Sequence, residues 1–237
     1  MSIQLAATPD PIDIDPAKTA VIVVDMENDF VSKGGMFDLM GIDRTPVKKI
    51  IEPIQKVLAA ARASDLTIVY LKMGYRQDLS DLGGEGSPNR IRHLRFHVGD
   101  TITAPNGSKS RILVRDSWGT EIIPELKPAA GDIVLYKSRF SGFYNTDLDG
   151  ILRKLGKKYL LFTGTTTSIC VESTVRDAMF RDYSPIVLED CTEEPIGSNF
   201  PRTNHEASMT VFRVIAWVSS SANVITALAA TRKPAMQ

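Results

Sequence analysis

Three side chains with the right reactivity for nucleophilic chemistry each follow a short apolar run. Asp25 ends AVIVVD, Lys137 ends DIVLYK, and Cys170 comes a short loop after YLLFTG. A thiol attacks a carbonyl as its thiolate, so it needs a base or a cation beside it. A carboxylate can take the thiol proton, and an ammonium can stabilise both anions. Cys170 also falls in the first turn of a predicted helix that begins near Thr167 or Ser168. The helix dipole and the unpaired N–H groups there are expected to favour thiolate over thiol and to face an oxyanion. Each residue alone has a plainer reading: a small buried hydrophobe, a surface lysine, a helix cap. Their joint arrival at three strand ends favours catalysis. Cys191, after PIVLED, lacks such a helix start and reads as structural.

Other chemistries find little support. His93, His97 and His205 do not form a zinc spacing with a matching further ligand, so no metal and no cofactor is expected. No Gly-x-Gly-x-x-Gly or P-loop follows a strand, and no Gly-x-Ser-x-Gly elbow occurs. Lys plus Arg and Asp plus Glu both total 28, so no global field points to nucleic acid. No run approaches the ~18 apolar residues of a membrane span, and the N-terminus has no signal-peptide pattern. With two cysteines and no disulfide framework, a cytoplasmic location is expected.

The elements that must carry these residues read as follows. Apolar runs recur at 20–25, 67–72, 132–137, 159–164, 185–190 and 213–218. Continuous Val/Ile/Leu runs of this kind suit strands buried on both faces. Helical patterns lie between them: one opened by Thr45-Pro46, one before ILRKL with Thr146 and Asp149 as a capping box, one over 169–182, and a last over 221–230. The expected fold is α/β, a three-layer α/β/α sandwich with a six-stranded, mainly parallel sheet. In such sheets ligands bind outside the carboxyl ends of the strands. Residues 1–18 read as an irregular arm and 19–237 as a single domain with an insertion at about 73–118. So long a link is either a lid or a surface decoration such as an oligomer contact. Arg76, Arg90, Arg92 and Arg95 make it basic and suit a substrate carboxylate, a solvated face being the plainer reading. Phe30, Tyr75 and Phe143 lie beside strand ends and are placed as pocket walls, with core packing as the competing reading.

The runs VVDMENDF, KSRFSGFYNTDL and TGTTTSICVESTVRDA, in that order, resemble the isochorismatase-like cysteine hydrolases, a likeness extending over about 17–225. The resemblance implies a catalytic triad of Asp25, Lys137 and Cys170, an oxyanion hole from the N–H groups of Thr166 and Cys170, and a cis Thr165–Thr166 bond. It also implies a homodimer or homotetramer. SGFYNTDLDGILR, CVESTVRDAMF and GGEGSPN are similar to ureidoacrylate amidohydrolases; IEPIQKVLAA, RQDLSDL and SWGTEIIPEL are similar to biuret hydrolases. Both cleave a carbamoyl or ureido C–N bond, so the expected partner is a small ureide or amide, with ureidoacrylate ahead of biuret. A non-catalytic binding domain is the rival from another class.

Overall fold

The computed structural model describes residues 2–196 and 203–230. Ile3–Leu5 (β1) and Ile12–Ile14 (β2) pair as an antiparallel hairpin ahead of Thr19–Val24 (β3). The short helices Asn28–Val31 (α1), Met36–Leu39 (α2) and Thr45–Lys49 (α3) lead into Ile51–Arg62 (α4) and Thr67–Met73 (β4). Next come Pro88–Arg95 (α5), the ribbon Thr101–Thr103 (β5) with Lys109–Arg111 (β6), and Ile133–Lys137 (β7). Leu148–Lys154 (α6), Tyr159–Gly164 (β8), Glu172–Met179 (α7) and Ser184–Thr192 (β9) follow. Asn204–Ile215 (α8), Trp217–Ser219 (β10) and Ser221–Ala229 (α9) complete the described elements.

Six strands form one sheet in the order β10-β9-β8-β3-β4-β7, and every neighbouring pair is parallel. The three-layer α/β/α sandwich is therefore as expected. All six residues of β3 are buried, because alternate side chains enter two different cores. Val21 and Val23 pack with Ile54 and Leu58 of α4 and Val224 and Leu228 of α9. Ala20, Ile22 and Val24 pack on the other face with residues of α6, α7 and α8. The chain order reverses direction across β3 and β8, the point where an open parallel sheet leaves a crevice at its carboxyl edge.

Several local expectations are corrected. The described part of the expected arm, 2–18, is not irregular: its alternating Ile12 and Ile14, with Leu5, are buried against the α9 side of the sheet, which orders the hairpin. The first half of the run 213–218 is helix. A reciprocal capping box of Thr203 and Glu206 starts α8, which runs through Ile215 and leaves only Trp217–Ser219 as strand. Thr45 lies inside α3, its own N–H donating to Asp43 at 2.9 Å. Thr146 and Asp149 form no capping box. The Thr146 hydroxyl donates to Gly142 O, and Asp149 accepts from Arg153 and Tyr183 instead. The insertion 73–118 contains regular structure, a capped helix and a ribbon, rather than loop throughout. The end of the expected domain, 231–237, lies outside the described residues.

Candidate active site

Three strands, β8, β3 and β7, deliver the reactive groups to one edge of the sheet. Asp25 is the first residue beyond β3 and turns the chain with φ of 52°, its N–H bonded to Leu71 O of β4 at 2.9 Å. Lys137 is the last residue of β7 and pairs in register with Met73. Its side chain reaches back across the end of β4, with Nζ 3.5 Å from Met73 Sδ and 2.8 Å from Asp25 Oδ2. Cys170 sits in a π-helical turn, Thr167–Val171, that follows β8. Gly164 makes this approach possible: a Cβ there would stand 2.0 Å from Val24 O, so no other residue lets β8 leave so close to β3. The Cys170 thiol lies close enough to both Asp25 and Lys137 to feel their charges. Thus the residues expected to meet do meet, with the Lys137 and Asp25 side chains 0% and 1% exposed.

Burial dominates the electrostatics. It raises the Asp25 carboxyl pKa despite the Lys137 ammonium beside it. It pulls on Lys137 in the opposite sense, yet Asp25 and Cys170 outweigh it, so the ammonium pKa is raised. The Cys170 thiol is raised by burial first and by the Asp25 charge second, with Lys137 opposing. This corrects the expected resting thiolate. The helix start does not prevail, because Glu194 already occupies it, accepting from Ser168 N–H at 2.6 Å. The resting arrangement is a protonated thiol beside an ionised Asp–Lys pair, in which the raised acid is a stronger base than a free aspartate.

The Thr165–Thr166 peptide is cis. Thr166 O accepts from Ile169 N–H at 3.2 Å and Val171 N–H at 3.1 Å. The Thr166 N–H makes no hydrogen bond among the described residues, although Thr166 is 5% exposed and lines the cavity above Cys170. A buried, unpaired donor beside a nucleophile is the arrangement an oxyanion requires.

That cavity, about 70 Å³, is mainly apolar, with walls from Phe30, Phe37, Phe96, Phe140 and Ile169. The insertion supplies Arg92, His93, Phe96 and Leu113, so part of it walls the cavity. Phe30 stands where expected. Phe143 does not: it stacks on Tyr183 at 5.8 Å in the core between sheet and helices, and Phe140 takes the wall position instead. Tyr75 lies one layer back, wholly buried, its ring edge against His93 and its hydroxyl accepting from Asn89 at 3.1 Å. Arg76 is exposed and lines a separate surface hollow with Asp81 and Arg115, because its strand-end loop turns outward. Of the insertion's central arginines only Arg92 lines the cavity; Arg90 donates to Gly83 O, and α5 carries Arg95 away.

Sequence reasoning passed over three residues here. Asp29 accepts from Met36 N–H at 3.2 Å and Leu113 N–H at 2.7 Å, tying two cavity walls to α1. Burial pushes its pKa up to about 6. Gly119 is required beside it, since a Cβ would stand 2.2 Å from Asp29 Oδ2. Glu27 is wholly buried with neither oxygen hydrogen-bonded among the described residues. Burial first, then the Asp25 and Asp29 charges, raise its pKa well above the usual carboxylate range. The third is His93. The run DMENDF, three acids within five residues, was the available signal for the first two. Among the described residues no group of three or more His, Cys, Asp or Glu is arranged to hold a metal ion.

An open parallel sheet bearing a thiol, an acid and an amine at its switch point sets the class: an α/β protein with a buried nucleophile site. More particularly, the chain belongs to the isochorismatase family, whose isochorismatase domain matches residues 19–223. It is 39% identical over 221 residues to the ureidoacrylate amidohydrolase RutB of Caulobacter segnis, covering 93% of this chain and 90% of that one. A relative of the same name from Caulobacter vibrioides is 38% identical, over 92% and 95% of the two chains. Among solved structures, a cysteine hydrolase from Pseudomonas syringae pv. phaseolicola superposes with a TM-score of 0.76 at 32% identity, covering 92% and 96%. An N-carbamoylsarcosine amidase from Thermoplasma acidophilum gives 0.62 at 30%, covering 86% and 96%.

Proposed function

We propose that this chain is a cysteine-dependent amidohydrolase that cleaves a C–N bond of a small linear ureide, ureidoacrylate in the first place. The observation that carries this reading is the buried contact of Asp25 and Lys137 at 2.8 Å beside the Cys170 thiol, under a cavity where the Thr166 N–H is unpaired among the described residues. Asp25 takes the Cys170 proton, and the thiolate attacks the carbamoyl carbon. The Thr166 and Cys170 N–H groups receive the oxyanion. The C–N bond breaks, the amine leaves with the proton from Asp25, and a carbamoyl thioester remains on Cys170. Asp25 then deprotonates a water that attacks this thioester, and the departing thiolate recovers the proton. Lys137 stays charged throughout and holds both anions. No step calls for a metal or a cofactor.

Ureidoacrylate fits through its far end. Arg92 is the one guanidinium on the cavity and forms no ion pair among the described residues, so it is free to meet a carboxylate. The curated relatives named for ureidoacrylate support the same choice. Biuret has no carboxylate for Arg92. Measuring kcat/KM on both compounds for the wild type and Arg92→Ala tests this. Ureidoacrylate should win, and the substitution should reduce its kcat/KM about tenfold or more while leaving biuret unchanged. A biuret preference, or an Arg92→Ala enzyme with full ureidoacrylate activity, would contradict it.

The wider setting belongs to the same proposal: one hydrolase domain that includes the N-terminal hairpin, a cytoplasmic homodimer or homotetramer, and a role in pyrimidine degradation. Two free, buried cysteines suit a reducing compartment.

A further inference from the structure

Helix α5 begins at a Ser87 cap and brings His93 over the cavity, 5% exposed, its ring 5.3 Å from Tyr75 and 5.5 Å from Phe140. His93 Nδ1 lies 2.7 Å from the carbonyl oxygen of Asn89, one turn back. A carbonyl oxygen only accepts, so Nδ1 carries the proton and, in a neutral ring, Nε2 carries the lone pair. The ring is kept neutral: burial lowers its pKa, and the Lys137 and Arg139 charges lower it further. Nε2 has no hydrogen-bond partner among the described residues.

The rest of the cavity makes this lone pair matter. Its lining holds donors in the Arg92 guanidinium and the Thr166 N–H, and no carboxylate or amide side chain. A ureide brings N–H donors of its own, each of which loses water on entry. An N–H left unmet in an apolar pocket gives up its hydrogen bond to water and gains nothing in return. His93 Nε2 is the one imidazole, amide or carboxylate acceptor that the described lining offers it.

We propose that His93 Nε2 accepts a hydrogen bond from the substrate's ureido N–H and thereby selects ureides over isosteric carbamate esters. The inference rests on the amidohydrolase reading above and names its specificity residue. An ester oxygen in place of the N–H would set a lone pair against a lone pair.

The test measures binding, so it is read separately from turnover. In Cys170→Ala protein, which cannot form the thioester, calorimetry compares 3-ureidoacrylate with 3-carbamoyloxyacrylate, whose oxygen replaces the N–H. The ureide should bind more tightly by about tenfold to a hundredfold, the range for leaving one buried partner unpaired. Adding His93→Phe should abolish that preference, and His93→Gln, which keeps an acceptor, should restore part of it. Imidazole ¹⁵N NMR of the Cys170→Ala protein should show a neutral His93 with its proton on Nδ1. A preference unchanged by His93→Phe, no preference with His93 present, or a proton on Nε2 would each overturn the proposal. Failure of the amidohydrolase reading would show differently, as no ureidoacrylate turnover by the wild type.

Discussion

Lys137→Met replaces the buried ammonium by an apolar side chain of similar length and leaves Asp25 alone in the core. With the two side chains 0% and 1% exposed, water cannot take over the lost partner. Breaking such a pair typically costs about 3–5 kcal/mol, because an uncompensated buried charge remains. The carboxylate escapes that cost by binding a proton, which bounds the penalty. Keeping an aspartate neutral costs roughly 1.4 kcal/mol per pH unit above its free value near 3.9, hence about 1.5 kcal/mol at pH 5; by pH 8 it would cost about 5.6, so there the charge penalty of about 3–5 kcal/mol is the limit. The sign follows from the raised folded pKa of Asp25. The folded variant binds more protons than the unfolded chain, so its stability is fully present below the unfolded pKa and is lost as pH rises. Urea titrations of wild type and Lys137→Met at pH 5, 6.5 and 8 read this directly. The gap between them should widen with pH up to that limit, and adding Asp25→Asn should remove the slope. A gap independent of pH, or below about 1 kcal/mol at pH 8, would refute the buried-pair reasoning.

Two further outcomes are expected. Asp29, with its pKa raised by burial to about 6, binds protons more readily folded than unfolded. Its contribution therefore falls as pH rises, and wild type should lose roughly 3 kcal/mol relative to Asp29→Asn between about pH 4 and 6.5; a constant difference in urea titrations would contradict the shift. Prolonged chelation should leave kcat/KM for ureidoacrylate unchanged, since every step runs on Asp25, Lys137, Cys170 and backbone N–H groups. Loss of activity restored by zinc or manganese would contradict that.

The convergence of Asp25, Lys137 and Cys170 was legible because two of them end apolar runs and the third follows one across a short loop, and a parallel sheet collects such ends at one edge. Asp25, Lys137 and Cys170 needed only the strand pattern and the crevice rule. Protonation states were less legible. Nothing in TGTTTSIC reveals that Glu194, beyond the next strand, occupies the helix start. The cavity walls were harder still. Phe140 and Phe143 are three positions apart in one loop, and only its path decides which faces the cavity and which the helical core. Within the insertion, helix α5 turns Arg92 and His93 toward the cavity and Arg95 away, a choice made by tertiary packing rather than by composition. The N-terminal hairpin was missed for a related reason. Its IQL and IDI segments are too short for a periodicity signal, and burial against the α9 side of the sheet gives them order.

The claim on which the account rests is that Cys170 attacks the substrate carbonyl with Asp25 as its base. Rapid-quench mass spectrometry of the enzyme turning over ureidoacrylate, with peptide mapping, tests it most directly. A carbamoyl adduct on the Cys170 peptide should form and decay during turnover, be absent from Asp25→Asn and Cys170→Ala, and never appear on Cys191. Turnover by Cys170→Ala at the wild-type rate, or an adduct carried by Cys191 instead, would contradict it.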